Sequence, residues 1–210
     1  MKSHNRRECH EIQLQNRMVL IFAIMSIATG AAFADDKLKG PYAVTGTQMC
    51  LTAPSGFAND SKGNPTIANG KDNLASVNNF QGRFSFNGDG TGSVSGTFVT
   101  IPPPDSRADF KAAVSAGTFS YSFTYTPVAN NSFENTMTPG TYKGTIDYGP
   151  RAGQQFTIDS GHRVFQVSND QTRGTVATRT PDVEHITYSD PSQTSLARSC
   201  CASGSLVRLD

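Results

Sequence analysis

The sequence has no tryptophan, and only 17% of its 210 residues are charged. Eighteen Lys and Arg stand against 17 Asp and Glu, so neither sign dominates. That balance gives no electrostatic basis for a nucleic-acid partner or an acidic lipid surface. With 36% hydrophobic residues the chain is neither a highly charged polymer nor a coiled coil. Cysteine is scarce, at four residues, and none has the paired short spacing of a zinc site. Phosphate loops and dinucleotide fingerprints are missing. Gly92-Ser93-Val94-Ser95-Gly96 fails the nucleophile-elbow pattern, because Val94 stands where the serine belongs. No cofactor is implied, and no internal repeat is present.

The one long apolar run lies near the start, from Met18 to Ala28. Lys2, Arg6, Arg7 and Arg17 precede it, and Ala32-Phe33-Ala34 follows as a small-x-small cleavage pattern. A run this short with these flanks predicts a secretory signal over residues 1–34, leaving no stable membrane anchor after cleavage. Residues 1–34 carry four basic and two acidic side chains, so the remaining 176 residues hold 14 and 15, a charge of −1. Periplasmic or extracellular localisation is the expectation.

What remains is rich in turns and short alternating segments. Gly40–Thr52 reads as a first strand, entered through Pro41. Pro54–Asn79 has few apolar anchors and is expected as a long polar loop, a cover for a mouth or simply a mobile connection. Phe80–Phe86 alternates, Asn87-Gly88-Asp89-Gly90 turns the chain, and Thr91–Ile101 returns as the hairpin partner. Pro102-Pro103-Pro104 ends that strand, and Ser106 can cap a short helix running through Ala116. From Thr118 to Thr126 every second residue is aromatic: Phe119, Tyr121, Phe123 and Tyr125, with Ser and Thr between them. Period two puts four rings on one face and hydroxyls on the other. Further strands are expected at Tyr142–Tyr148, Gln155–Asp159, Arg163–Val167, Thr175–Thr180, Val183–Ser189 and within Leu196–Leu209.

About nine short strands without strand–helix alternation predict a single antiparallel all-β domain over residues 35–210. A sheet of this size closes into a barrel or splits into a sandwich, and a barrel of about 8–9 strands with one short helix is the expected form. Phe84, Phe86, Phe119, Tyr121, Phe123 and Tyr125 are then candidate interior residues. They either fill the core or line a pocket for a small molecule.

Other motifs dissolve on inspection. Asn87–Phe98 starts like a calcium loop, but Phe98 stands where a bidentate Glu is needed. Ile158-Asp159-Ser160-Gly161 has the aspartic-protease pattern, which needs two copies, and the chain has one. Glu184 and His185 are adjacent on a strand and point to opposite faces, so they do not form a direct acid–base pair. His162 and His185, lacking an evident carboxylate constellation, read as surface or hydrogen-bonded residues.

After the leader, Cys50, Cys200 and Cys201 remain. Cys50 ends the first strand, and the pair at 200 and 201 lies in the last. In a closed sheet the two strands become neighbours and a bridge forms from Cys50 to one of the pair. Cys200 is expected, with Cys201 as the alternative that the register decides.

From Gly40–Cys50 through Phe84–Ser93 to Val183–Ser189 the chain resembles uncharacterised exported bacterial proteins, themselves similar to lipocalin-like and allene-oxide-cyclase-like barrels. Where lipocalins carry Gly-x-Trp, this chain has Gly40-Pro41-Tyr42. The resemblance implies a barrel and transfers no catalytic residue. Three functions follow as expectations. The first is an exported carrier of a small apolar or amphipathic ligand. The second is an envelope protein-interaction module with a filled barrel, and the third, ranked last, is a cyclase-like enzyme.

Overall fold

The structure is a computed structural model that describes residues 38–210 apart from 54, 69–73, 102–112, 130, 181 and 194. The leader reading over residues 1–34 lies outside the described residues. Thirteen strands follow one another and no helix occurs among the described residues. They are β1 (Lys39–Ala53), β2 (Phe57–Asn59), β3 (Pro65–Ile67), β4 (Leu74–Asn87), β5 (Thr91–Ile101), β6 (Ser115–Ala129) and β7 (Ser132–Met137). The rest are β8 (Lys143–Tyr148), β9 (Gln155–Ile158), β10 (His162–Val167), β11 (Arg173–Ala177), β12 (Val183–Tyr188) and β13 (Leu196–Arg208).

Eleven of the thirteen form one antiparallel sheet, and β2 and β3 pair separately. The order is β1-β4-β5-β6-β7-β10-β11-β13-β12-β9-β8, with β1 also pairing β13 and β6 also pairing β8. Two long strands therefore fork. On β6, Ala116–Ser120 pairs with β8 while Phe123–Ala129 pairs with β7. On β13, Leu196–Ser199 pairs with β12 while Ser203–Val207 pairs with β11. The pairings return on themselves in two circuits that share β1, β4, β5, β6 and β13. One is completed by β7, β10 and β11, the other by β8, β9 and β12.

Alternation along the strands defines an inner face. On β1 it carries Tyr42, Val44, Gly46, Gln48 and Cys50, and on β13 Arg198, Cys200, Ala202, Gly204 and Leu206. The β7–β10–β11 side is packed solid by Leu38, Tyr42, Val44, Phe84, Phe86, Phe123, Tyr125, Phe133, Phe165 and Leu206. Phe86 sits at its centre, meeting Tyr42, Tyr125 and Phe165 edge-on at ring separations of 5.2–5.6 Å. The Tyr42 and Tyr125 hydroxyls donate to the carbonyls of Gln171 and Leu38, which satisfies the only polar atoms those side chains bring inward. Glycine makes room for rings in both circuits. A Cβ on Gly92 would stand 2.4 Å from the Phe123 ring, and one on Gly144 2.3 Å from Phe156.

Several expectations change. The short helix is replaced at its described end, where Ser115 and Ala116 begin β6, and Ser106–Ala112 lie outside the described residues. The segment 54–79 is not one loop. It holds the β2–β3 hairpin, whose turn is organised by Asp60 accepting from the backbone of Lys62 and Asn64, and β4 starts at Leu74. The strand count rises above nine because of β2, β3 and β7. In β7, Phe133, Asn135 and Met137 face inward, and the buried Asn135 breaks the apolar pattern that would mark a strand. The Asn87–Gly90 turn joins β4 to β5 as expected, with Asp89 accepting from the Thr91 backbone and hydroxyl.

Candidate functional site: a half-empty interior

The β8–β9–β12 side of the inner face is not filled. It encloses a cavity of about 370 Å³, inside the range of small-molecule sites. Its apolar wall is Phe80, Phe98, Phe119, Tyr121, Tyr142, Phe156 and Tyr188, backed by Ile146, Ile158 and Ile186. Phe119, Tyr121 and Tyr142 lie nearly parallel, with interplanar angles of 8–25°, so they pave a wall instead of interlocking. Polar side chains join them: Gln48, Asn78, Thr100, Ser76 and Ser115.

The six candidate interior residues divide between the two sides. Phe84, Phe119 and Tyr121 border the cavity, whereas Phe86, Phe123 and Tyr125 belong to the packed core. The rings Phe98, Tyr142, Phe156 and Tyr188 are added to the site by the structure. Phe98 comes from β5 and Tyr142 from just before β8, while the pairing of β12 with β9 brings Phe156 and Tyr188 together on this wall.

Among the described residues, four charged side chains line the cavity: Arg151, Arg163, Arg198 and Glu184. Glu184 and Arg198 are direct cross-strand partners on β12 and β13. Arg198 Nε donates to Glu184 Oε2 at 2.9 Å, and its Nη2 lies 2.9 Å from the same oxygen. Arg163, from β10, donates through Nη2 to Oε1 at 3.2 Å and through Nη1 to the His162 carbonyl. Glu184 is only 3% exposed, so one buried carboxylate is clamped between two guanidinium groups. Arg151 donates to the Tyr188 hydroxyl and to Gln193, with its guanidinium 4.6 Å from the Tyr188 ring centre.

Burial pushes the Tyr121 phenol up to about 12 and moves Tyr142 further in the same direction, with Arg163, Arg198 and Glu184 acting on them at second order. Both phenols therefore stay protonated at neutral pH and serve as hydrogen-bond donors. Glu184 accepts on both carboxylate oxygens, from Arg163 on Oε1 and from Arg198 on Oε2.

Glu184 and His185 do face opposite ways. His185 Nδ1 is 2.8 Å from the Asp159 carboxylate on the outside, and the His185 backbone N–H donates to it at 2.7 Å. Partial burial opposes ionisation of Asp159, but these contacts prevail and hold its carboxyl below the usual range. His185 is thus an exposed, hydrogen-bonded residue, as expected, and His162 lies part-exposed 3.4 Å from Glu134. Ser160 donates to Asp159 and not to His185, so the group lacks the order of a nucleophile–base relay. Among the described residues no three His, Cys, Asp or Glu converge to hold a metal.

Cys50 and Cys200 are cross-strand partners with Sγ atoms 2.09 Å apart, at disulfide distance, and Cys201 is exposed. Direct opposition in the β1–β13 register selects Cys200. Asn78 donates to the Cys50 sulfur at 3.2 Å and accepts from Thr100, so the bridge sits on the inner face beside the cavity. The chain matches no family model and no curated protein sequence.

Proposed function

We propose that the protein is an exported, lipocalin-like β-barrel that carries or senses a small apolar or amphipathic molecule in the half-empty side of its interior. The carrying observation is the cavity itself. The β7–β10–β11 side is packed with interlocking rings, whereas the β8–β9–β12 side leaves volume between its walls. The return of β13 to β1 supports reading the sheet as a closed barrel, and the Cys50–Cys200 bridge supports an oxidising compartment. Titration calorimetry with the neutral probe 2-naphthamide tests the proposal. One saturable site per chain is expected, lost when Ile186→Trp fills the cavity. No binding to the folded wild type overturns it.

One observation favours the interaction-module reading. Cys201, Met49, Val77 and Ile101 form an unbroken cross-strand row on the outer face, and all four are exposed. That reading expects a Met49→Lys variant to abolish self- or partner association while leaving the 2-naphthamide site intact.

A further inference from the structure

We infer that the molecule held in the cavity is a small monocarboxylic acid with an apolar body, its carboxylate received by the Arg163–Glu184–Arg198 cluster. The inference rests on the carrier reading above and adds the chemistry of the ligand's head group.

Charge is the first argument. Among the described residues, three guanidinium groups and one carboxylate are the only charged side chains lining the cavity. Arg151 donates to Tyr188 and Gln193, neutral partners outside the cluster, and its charge adds to the positive character of the cavity. The cluster itself sets two cations against the buried Glu184, a surplus of one positive charge. An uncompensated buried charge is costly, and a single negative charge on the ligand removes the cost. A monoanion balances the cluster, while a dianion reverses its sign.

Donors are the second argument. Glu184 uses one Nη of Arg163 and two nitrogens of Arg198, which leaves N–H groups on both forks. Guanidinium forks match the planar two-oxygen edge of a carboxylate. Tyr121 and Tyr142 stand within electrostatic reach of the cluster as neutral phenols. The Gln48 amide nitrogen is buried on the cavity wall with no hydrogen-bond partner among the described residues. The spare guanidinium N–H groups and the Gln48 amide nitrogen are donors available to an acceptor on a ligand.

Shape is the third argument. The paved wall of Phe119, Tyr121 and Tyr142 and the facing Phe98 and Phe156 offer apolar area to the rest of the molecule. A bare inorganic anion would leave that surface uncovered.

The test compares 2-naphthoate with the isosteric, uncharged 2-naphthamide at neutral pH on the wild-type protein. The inference expects naphthoate to bind at least about tenfold tighter. Equal or weaker naphthoate binding beside a saturable naphthamide site overturns the head-group inference and leaves the carrier reading standing. Binding of neither compound overturns both. A triple variant, Arg163→Gln with Glu184→Gln and Arg198→Gln, removes the three charges together and strands none of them. It is expected to bring the naphthoate-to-naphthamide ratio to about one. A ratio unchanged in that variant places the anion elsewhere and also overturns the inference.

Discussion

One strand, β6, runs through both sides of the interior, and its four inward rings have different fates on the two sides. Phe123 and Tyr125 enter a core where rings meet edge to face around Phe86. Phe119 and Tyr121 lie flat with Tyr142 along a wall that faces open volume. Composition does not separate the two pairs, since each is one Phe and one Tyr. What separates them is the fork. Beyond it β7, β10 and β11 bring Phe133, Phe165, Val167 and Val176 inward, whereas β8, β9 and β12 bring Ile146, Phe156, Ile158, Ile186, Tyr188 and the carboxylate of Glu184. Packing holds the first side. On the second a covalent bridge and an ionic cluster stand where core is missing.

The largest effect should come from removing that bridge. Cys50→Ala with Cys200→Ala opens a separation of 150 residues, and the chain-entropy treatment gives on the order of 5 kcal/mol as an upper figure. Hydrogen exchange should rise first at the Cys50 end of β1 and at Leu196–Ser199, ahead of Tyr42–Val44. Uniform loosening along both strands would erase the distinction between the two sides.

Phe123→Ala should cost about 3–5 kcal/mol in a denaturant melt, because it leaves a void in a closed core. Phe119→Ala, beside space that already exists, should cost about half of that or less. Equal losses would mean that the cavity side is as tightly packed as the other.

Alkali should act through the buried phenols. The folded state raises Tyr121 from about 10 to about 12, so its protonated form is favoured by folding. The associated stability is fully present below pH 10 and falls as the pH rises toward 12. Tyr121→Phe should flatten that part of the pH–stability curve. At the small end, Ser122→Ala on the outer face of the same strand should change stability by about 0.5 kcal/mol or less.

Much of this was legible because strand alternation is local. The β6 stripe, the Asn87–Gly90 hairpin and the opposite facing of Glu184 and His185 follow from period two alone. The choice of Cys200 over Cys201 needed the β1–β13 register, which is a property of two distant segments. The ionic cluster was illegible for the same reason. Arg163, Glu184 and Arg198 read as ordinary polar strand residues until β10, β12 and β13 are assembled around one cavity. The missing helix marks another limit: Ala116 favours a helix locally, but pairing with β5 and β8 overrides that preference and carries β6 back through Ser115 and Ala116. The hairpin of β2 and β3 has three residues per strand, too short for any periodicity.

The central claim is that a small molecule occupies one side of the interior and is excluded from the other. Intermolecular nuclear Overhauser contacts from bound 2-naphthamide test it most directly. The account expects contacts to the ring protons of Tyr121, Tyr142 and Phe156 and none to Phe86 or Phe165. Contacts confined to Met49, Val77 and Ile101 on the outer face, or reaching the rings around Phe86, would contradict it.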